Sequence, residues 1–103
     1  MNNNLTSIDT LKRIARNKGL NKYYKEIGFS KVKNKKYYVM TIDNKKVNFG
    51  YDKMGDYTQH KNKDRRDRFR ARFKKLYDKF SNDYNKAIFW TYLLLWWVYN
   101  YLK

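Results

Sequence analysis

Apolar positions in this chain change their spacing several times, and each change predicts an element. Near the start, Ile8, Leu11, Ile14 and Ala15 fall on one face of a helix. A hydroxyl at Thr6 or Ser7 is placed to cap it, Asp9 stands three residues after Thr6 as in a capping box, and Gly19 supplies a stop. Between Lys36 and Gly50 the period becomes two: Tyr38, Met40 and Ile42 alternate with Tyr37, Val39 and Thr41. Asp43-Asn44 carries turn chemistry, and Val47 and Phe49 resume the alternation. A β-hairpin over 36–50 is predicted. From Lys61 to Phe80 the spacing is helical again, with Phe69, Phe73, Leu76, Tyr77 and Phe80 on one stripe, until Ser81-Asn82-Asp83 breaks it. The run from Ala87 to Tyr99 is apolar around its whole circumference, so a helix there requires cover on several sides.

These elements define an α+β fold as a small single domain: a basic N-terminal helix and connector (1–35), one β-hairpin (36–50), a basic amphipathic helix (60–80) and a C-terminal aromatic apolar helix (84–102). The hairpin is expected to pack against the basic and aromatic helices, with the N-terminal helix peripheral. No Pro occurs and the four Gly are scattered, so no linker or repeat divides the 103 residues. The opening Met-Asn-Asn-Asn lacks the basic and apolar regions of a signal peptide, so the product is expected to stay where it is made.

Charge changes the picture more than length does. The chain carries 25 Lys+Arg against 9 Asp+Glu, a formal net charge of +16. The excess sits in two blocks: residues 11–36 hold ten basic and one acidic side chain, and 60–79 hold ten and three. With 19% aromatic residues the chain is too apolar for a disordered basic tail, so the charge belongs to a folded surface facing something acidic. The absence of Cys and the single His60 exclude a thiol nucleophile and a Cys-ligated metal, and no metal or other cofactor is expected.

The basic helix carries the main candidate site: Lys63, Arg65, Arg66, Arg68, Arg70, Arg72, Lys74 and Lys75. At 100° per residue, Arg65, Arg68 and Arg72 run along one flank of the apolar stripe, and Lys63, Arg70 and Lys74 along the other. Arg matters because its planar fork grips two phosphate or carboxylate oxygens at once. Pairs such as Asp64–Arg68 offset part of the charge, but three acids cannot neutralise ten cations. The N-terminal block mixes Lys with Tyr23, Tyr24 and Phe29, a weaker signal that an A+T-rich genome also writes. Phe89, Trp90, Trp96 and Trp97 are the candidate apolar interface, since three Trp exceed what so small a domain easily encloses. The sixteen uncharged residues from Ala87 to Leu102 give about 24 Å of helix, short of the roughly 30 Å of a bilayer core. The cluster Asp56-Tyr57-Thr58-Gln59-His60 reads as the entry turn to the basic helix, with Asp56 or Thr58 as its cap. No catalytic residue is assigned, because no nucleophile elbow, phosphate loop or metal-ligand spacing accompanies it.

Lys36-Tyr37-Tyr38-Val39, Val47-Asn48-Phe49-Gly50, Asp56-Tyr57-Thr58-Gln59-His60-Lys61, Asp64-Arg65-Arg66, Arg70-Ala71-Arg72, Phe89-Trp90 and Leu94-Leu95-Trp96 together resemble a family of small basic proteins of large eukaryotic DNA viruses and some phages. The resemblance spans residues 36–96. Phe73 stands where that pattern usually has His, and Asn62 where it commonly has Asp. What the resemblance implies is origin: a viral protein found in the virion, and before assembly in the host cytoplasm or virus factory. Combined with the charge and the aromatic surface, the expectation is a non-enzymatic structural protein, a minor capsid or inner-shell component bridging larger acidic capsid proteins. The alternative is a non-sequence-specific nucleic-acid-binding protein that packages the viral DNA, and a weaker third reading is peripheral contact with an internal viral membrane.

Overall fold

In the computed structural model, residues 5–52 and 55–96 are described. Helix α1 (Ile8–Asn17) begins where Ser7 Oγ accepts from the Thr10 N–H at 3.1 Å. It ends at Gly19, whose φ of +72° reverses the chain. A 3₁₀ turn (Asn21–Tyr23) leads into β1 (Tyr24–Phe29), followed by β2 (Lys35–Thr41) and β3 (Lys46–Tyr51). The three strands form one antiparallel sheet in the order β1-β2-β3, with Ile27 opposite Val39 and Val39 opposite Val47.

The sheet therefore has one strand more than the predicted hairpin. β1 lies in what the sequence presents as a connector, because only Ile27 of its six residues is buried. Pairing with β2 makes it a strand. Gly28 sits beneath the Tyr38 ring, where a Cβ would lie 2.9 Å from a ring carbon, so the strand's least strand-like residue is the one its neighbour requires. At the other end of β2 the predicted turn forms, with Asn44 at φ +66° and its N–H bonded to the Thr41 carbonyl at 2.9 Å.

The basic helix predicted over 60–80 forms as one helix over 63–79, and the segment expected as its entry turn is a short helix of its own, which Asp56 caps in place of the basic helix. Asp56 caps a single turn, α2 (Tyr57–His60), in a capping box closed by Gln59. Lys61 then turns left-handed at φ +56°, and Asn62 caps α3 (Lys63–Lys79) by accepting from the Arg65 N–H. Two capping side chains six residues apart start two helices, which apolar periodicity alone does not register. The aromatic segment starts later than predicted, as α4 (Ala87–Trp90), and widens into a π-helical turn (Thr91–Leu95). Its predicted beginning at residue 84 is a turn, fixed by Trp90 Nε1 donating to the Tyr84 carbonyl at 2.7 Å. Trp97 and the rest of the predicted aromatic helix lie outside the described residues.

The core corrects the expected packing. Tyr37, Val39 and Phe49 on the inner face of the sheet are fully buried, together with Leu11 and Ala15 of α1 and Trp90 and Leu94 of the aromatic segment. Thus α1 is central. The basic helix is the peripheral element, with Arg66 its only buried residue. The cause is composition: α1 presents a clean small-and-aliphatic stripe, whereas the stripe of α3 is interrupted by long cations that hold it at the surface. Among the described residues no helix is long and apolar enough to cross a membrane.

Candidate polyanion-binding surface

Helix α3 projects Arg65, Arg68 and Arg72 into solvent along one flank, as their i, i+3, i+7 spacing requires. Together with Phe69, Ala71 and Trp96 they line an open groove of about 620 Å³. Phe69 lies parallel to Trp96 at 4.3 Å between ring centroids and meets Phe73 at 4.6 Å, so its ring is held in an aromatic cluster beside the arginines. No carboxylate of the described residues pairs with these three arginines, and the Asp64–Arg68 pair that the spacing predicts is not formed. Arg72 rests over the Phe73 ring at 5.6 Å. Lys63 and Lys75 are also exposed, while Lys74 is exposed and paired with Asp78 at 2.8 Å.

Two of the candidate cations are turned inward. The Arg66 guanidinium stacks over Tyr57 at 4.9 Å, and its Nε reaches Asp67 at 3.0 Å. Arg70 lies over the Tyr92 ring at 4.1 Å and donates to the Trp96 carbonyl at 2.7 Å and the Tyr92 carbonyl at 3.3 Å. Backbone carbonyls at the end of a helix lack internal partners, and Arg70 supplies one. Burial draws the Arg70 pKa down, opposed by Tyr92. The flank of Lys63, Arg70 and Lys74 is thus broken at its centre, and the cationic surface of α3 is one-sided.

The candidate apolar interface is placed inside the molecule. Phe89, Trp90 and Trp96 are 5%, 0% and 3% exposed, which leaves them almost no surface for a partner. A three-stranded sheet offers a wider inner face than a hairpin, and that extra face absorbs the aromatics. Trp97 lies outside the described residues.

A second polar centre was legible only in part. Lys36, on β2, is 3% exposed, and its Nζ donates to Asp56 Oδ2 at 2.6 Å and Gln59 Oε1 at 2.8 Å. The other Asp56 oxygen accepts from the Thr58 N–H at 3.0 Å and from the Thr58 hydroxyl, which also accepts from Thr6 at 2.7 Å. The Asp56-x-x-Gln59 spacing announces the cap, but nothing local marks Lys36 among many lysines as the buried one. His60 Nδ1 accepts from the Asn62 N–H at 2.9 Å, so the ring proton sits on Nε2, which is buried with no hydrogen-bond partner among the described residues. The ring packs against Trp96 at 5.4 Å and Tyr57 at 6.3 Å. Burial, with Arg65 adding to it, holds the His60 pKa below the ordinary value, against an opposing pull from Asp56. Both Asp56 oxygens and the accepting nitrogen of His60 are engaged in holding the α2–α3 junction.

Fold and surface together define a small basic α+β domain with a one-sided arginine face. The sequence model of a family of unknown function (DUF5754) matches residues 25–73, from β1 into the middle of α3, just under half of the chain. The match includes the Asp56–His60 junction and the arginine row but neither α1 nor the aromatic segment. No curated protein and no solved structure matches the chain.

Proposed function

We propose that this protein is a non-enzymatic, non-sequence-specific nucleic-acid-binding protein that contacts the phosphate backbone and serves to package the genome of a large DNA virus. The observation that carries this reading is the exposed row Arg65, Arg68 and Arg72, without a carboxylate partner among the described residues, on a chain of net charge +16. Guanidiniums not neutralised by a carboxylate bind phosphate oxygens with release of counterions, which gives affinity without base readout. The viral setting rests on the resemblance of the hairpin, junction, arginine and aromatic motifs. A minor capsid component draws on the same cations but needs an apolar anchor, and Phe89, Trp90 and Trp96 are buried. Peripheral membrane contact is less favoured because the described aromatics Phe89, Trp90 and Trp96 are turned into the core.

The test is binding of random-sequence DNA, offered as duplex and as single strand, across a salt series with wild type and an Arg65→Ala/Arg68→Ala/Arg72→Ala variant. Log affinity is expected to fall linearly with log salt, and the variant's slope to be shallower by about 0.7–0.9 per lost phosphate contact. Binding of neither form at physiological salt overturns the reading, as does an unchanged slope in the variant.

A further inference from the structure

Among the described residues five large apolar side chains are exposed, and three of them, Phe29, Val32 and Tyr51, gather at one end of the sheet, where β1 ends, β2 begins and β3 ends. Phe29 closes a row of rings across the three strands: it stacks on Tyr37 at 5.7 Å between centroids, Tyr37 meets Phe49 at 5.7 Å, and of the three only Phe29 is open to solvent, at 49%. Tyr51, 52% exposed, stands opposite Lys35 in the strand register. Lys31, Lys33 and Lys35 alternate through the same segment, all exposed and none paired with a carboxylate among the described residues, while Asp52 adds one exposed acid beside Tyr51. The loop is already held in shape: the Ser30 N–H donates to the Lys36 carbonyl at 2.9 Å, the Val32 N–H to Ser30 Oγ at 3.0 Å and the Asp52 N–H to the Asn34 carbonyl at 3.1 Å, so little ordering is left for a partner to impose. This end also adjoins the arginine face. Tyr51, Phe69 and Trp96 line a small cavity of about 60 Å³, and the same Phe69 and Trp96 line the groove of Arg65, Arg68 and Arg72. Lysines alone would serve a duplex, which presents phosphates and keeps its base faces stacked inside, so exposed rings add nothing there. An unpaired base has a free face to lay on a ring while its own strand carries phosphates to the ammoniums beside it. A strand is favoured over an anionic bilayer because the rings stand next to arginines that already call for phosphate, and one chain of phosphates serves both.

We infer that this end of the sheet is a contact for single-stranded nucleic acid continuous with the arginine face, unpaired bases stacking on Phe29 and Tyr51 and the strand's phosphates meeting Lys31, Lys33 and Lys35. The inference rests on the nucleic-acid reading above and adds to it a preference for strand form and the residues from which that preference arises.

The experiment measures fluorescence anisotropy of labelled 20-nucleotide random-sequence strands, the same sequences as duplex, and an abasic strand of equal length, at matched salt. Phe29→Thr/Tyr51→Thr removes both rings while keeping strand-forming residues, and Ile42→Thr makes a like change at the exposed tip of the β2–β3 hairpin. Wild type is expected to prefer the single strand to the duplex at least fivefold and to bind the abasic strand no better than the duplex. The double variant should lose the preference and Ile42→Thr should keep it, with thermal melts showing both folded. Ultraviolet crosslinking of wild type to strands carrying iodouracil, read by peptide mass spectrometry, should place adducts on Phe29 or Tyr51, and decides the matter if the double variant does not fold. Equal binding of duplex and single strand, full affinity for the abasic strand, a preference that survives in the folded double variant, or adducts confined to other residues overturns the sheet-end contact and leaves the backbone-binding reading standing. Binding of neither nucleic acid, with capture by anionic vesicles instead, overturns both.

Discussion

Removing the Lys36 ammonium while leaving Asp56 in place is expected to be among the most damaging single changes this fold admits. The two side chains are 1% and 2% exposed and 2.6 Å apart. At an effective dielectric constant of about 20, their gross attraction is about 6 kcal/mol. Desolvation of the two ions offsets most of that, so the intact pair contributes little net stability. Lys36→Met keeps the aliphatic stem, which packs near Gly50, but strands a buried carboxylate, at a cost of roughly 3–5 kcal/mol. Each kcal/mol moves the melting temperature of a domain this size by about 4–8 °C, so a loss of well over 10 °C is expected. Adding Asp56→Asn removes the orphaned charge while keeping an acceptor for the Thr58 N–H, and should restore about 1–3 kcal/mol. Urea denaturation of wild type, both single variants and the double variant reads all four corners of the cycle. A Lys36→Met cost below about 1 kcal/mol, or additive single and double variants, would refute the argument that this pair is buried and coupled.

Three further outcomes follow from the same geometry. Gly50→Ala should lose about 2–4 kcal/mol by denaturant melt, because Gly50 has φ +83° and an added Cβ would lie 2.9 Å from Leu95 Cδ1; a neutral result contradicts that packing. Arg70→Ala should cost about 1–3 kcal/mol of stability with little change in nucleic-acid affinity, whereas Arg68→Ala should do the reverse, so one panel of melts and titrations separates the inward arginine from the outward one. Because the folded His60 pKa is lowered, the unfolded chain takes up this proton first as pH falls. Stability should therefore be level above about pH 7 and decline below the unfolded value of about 6.5, and His60→Gln should flatten that decline; identical pH profiles of the melting temperature would exclude His60 as its source.

The sequence by itself determined what depends on near neighbours. The Ser7 cap, the Gly19 stop, the turn at Asn44 and the flank of Arg65, Arg68 and Arg72 all follow from residues within about two helical turns of one another. The α+β class follows from the same local periodicities. Tertiary structure decided whatever needs a partner from far along the chain. β1 is a strand because β2 pairs with it, and the same sheet gives Trp90 and Trp96 an interior to enter. Arg70 faces inward because Tyr92 and Trp96, twenty-two and twenty-six residues away, present carbonyls to it, while Arg68, alike in sequence context, meets none among the described residues. Lys36 is buried because Asp56 and Gln59 come within reach of its ammonium. Periodicity fixes which side of an element a residue occupies, but the energetic sign of a cation or a large ring depends on what the other elements bring to that side.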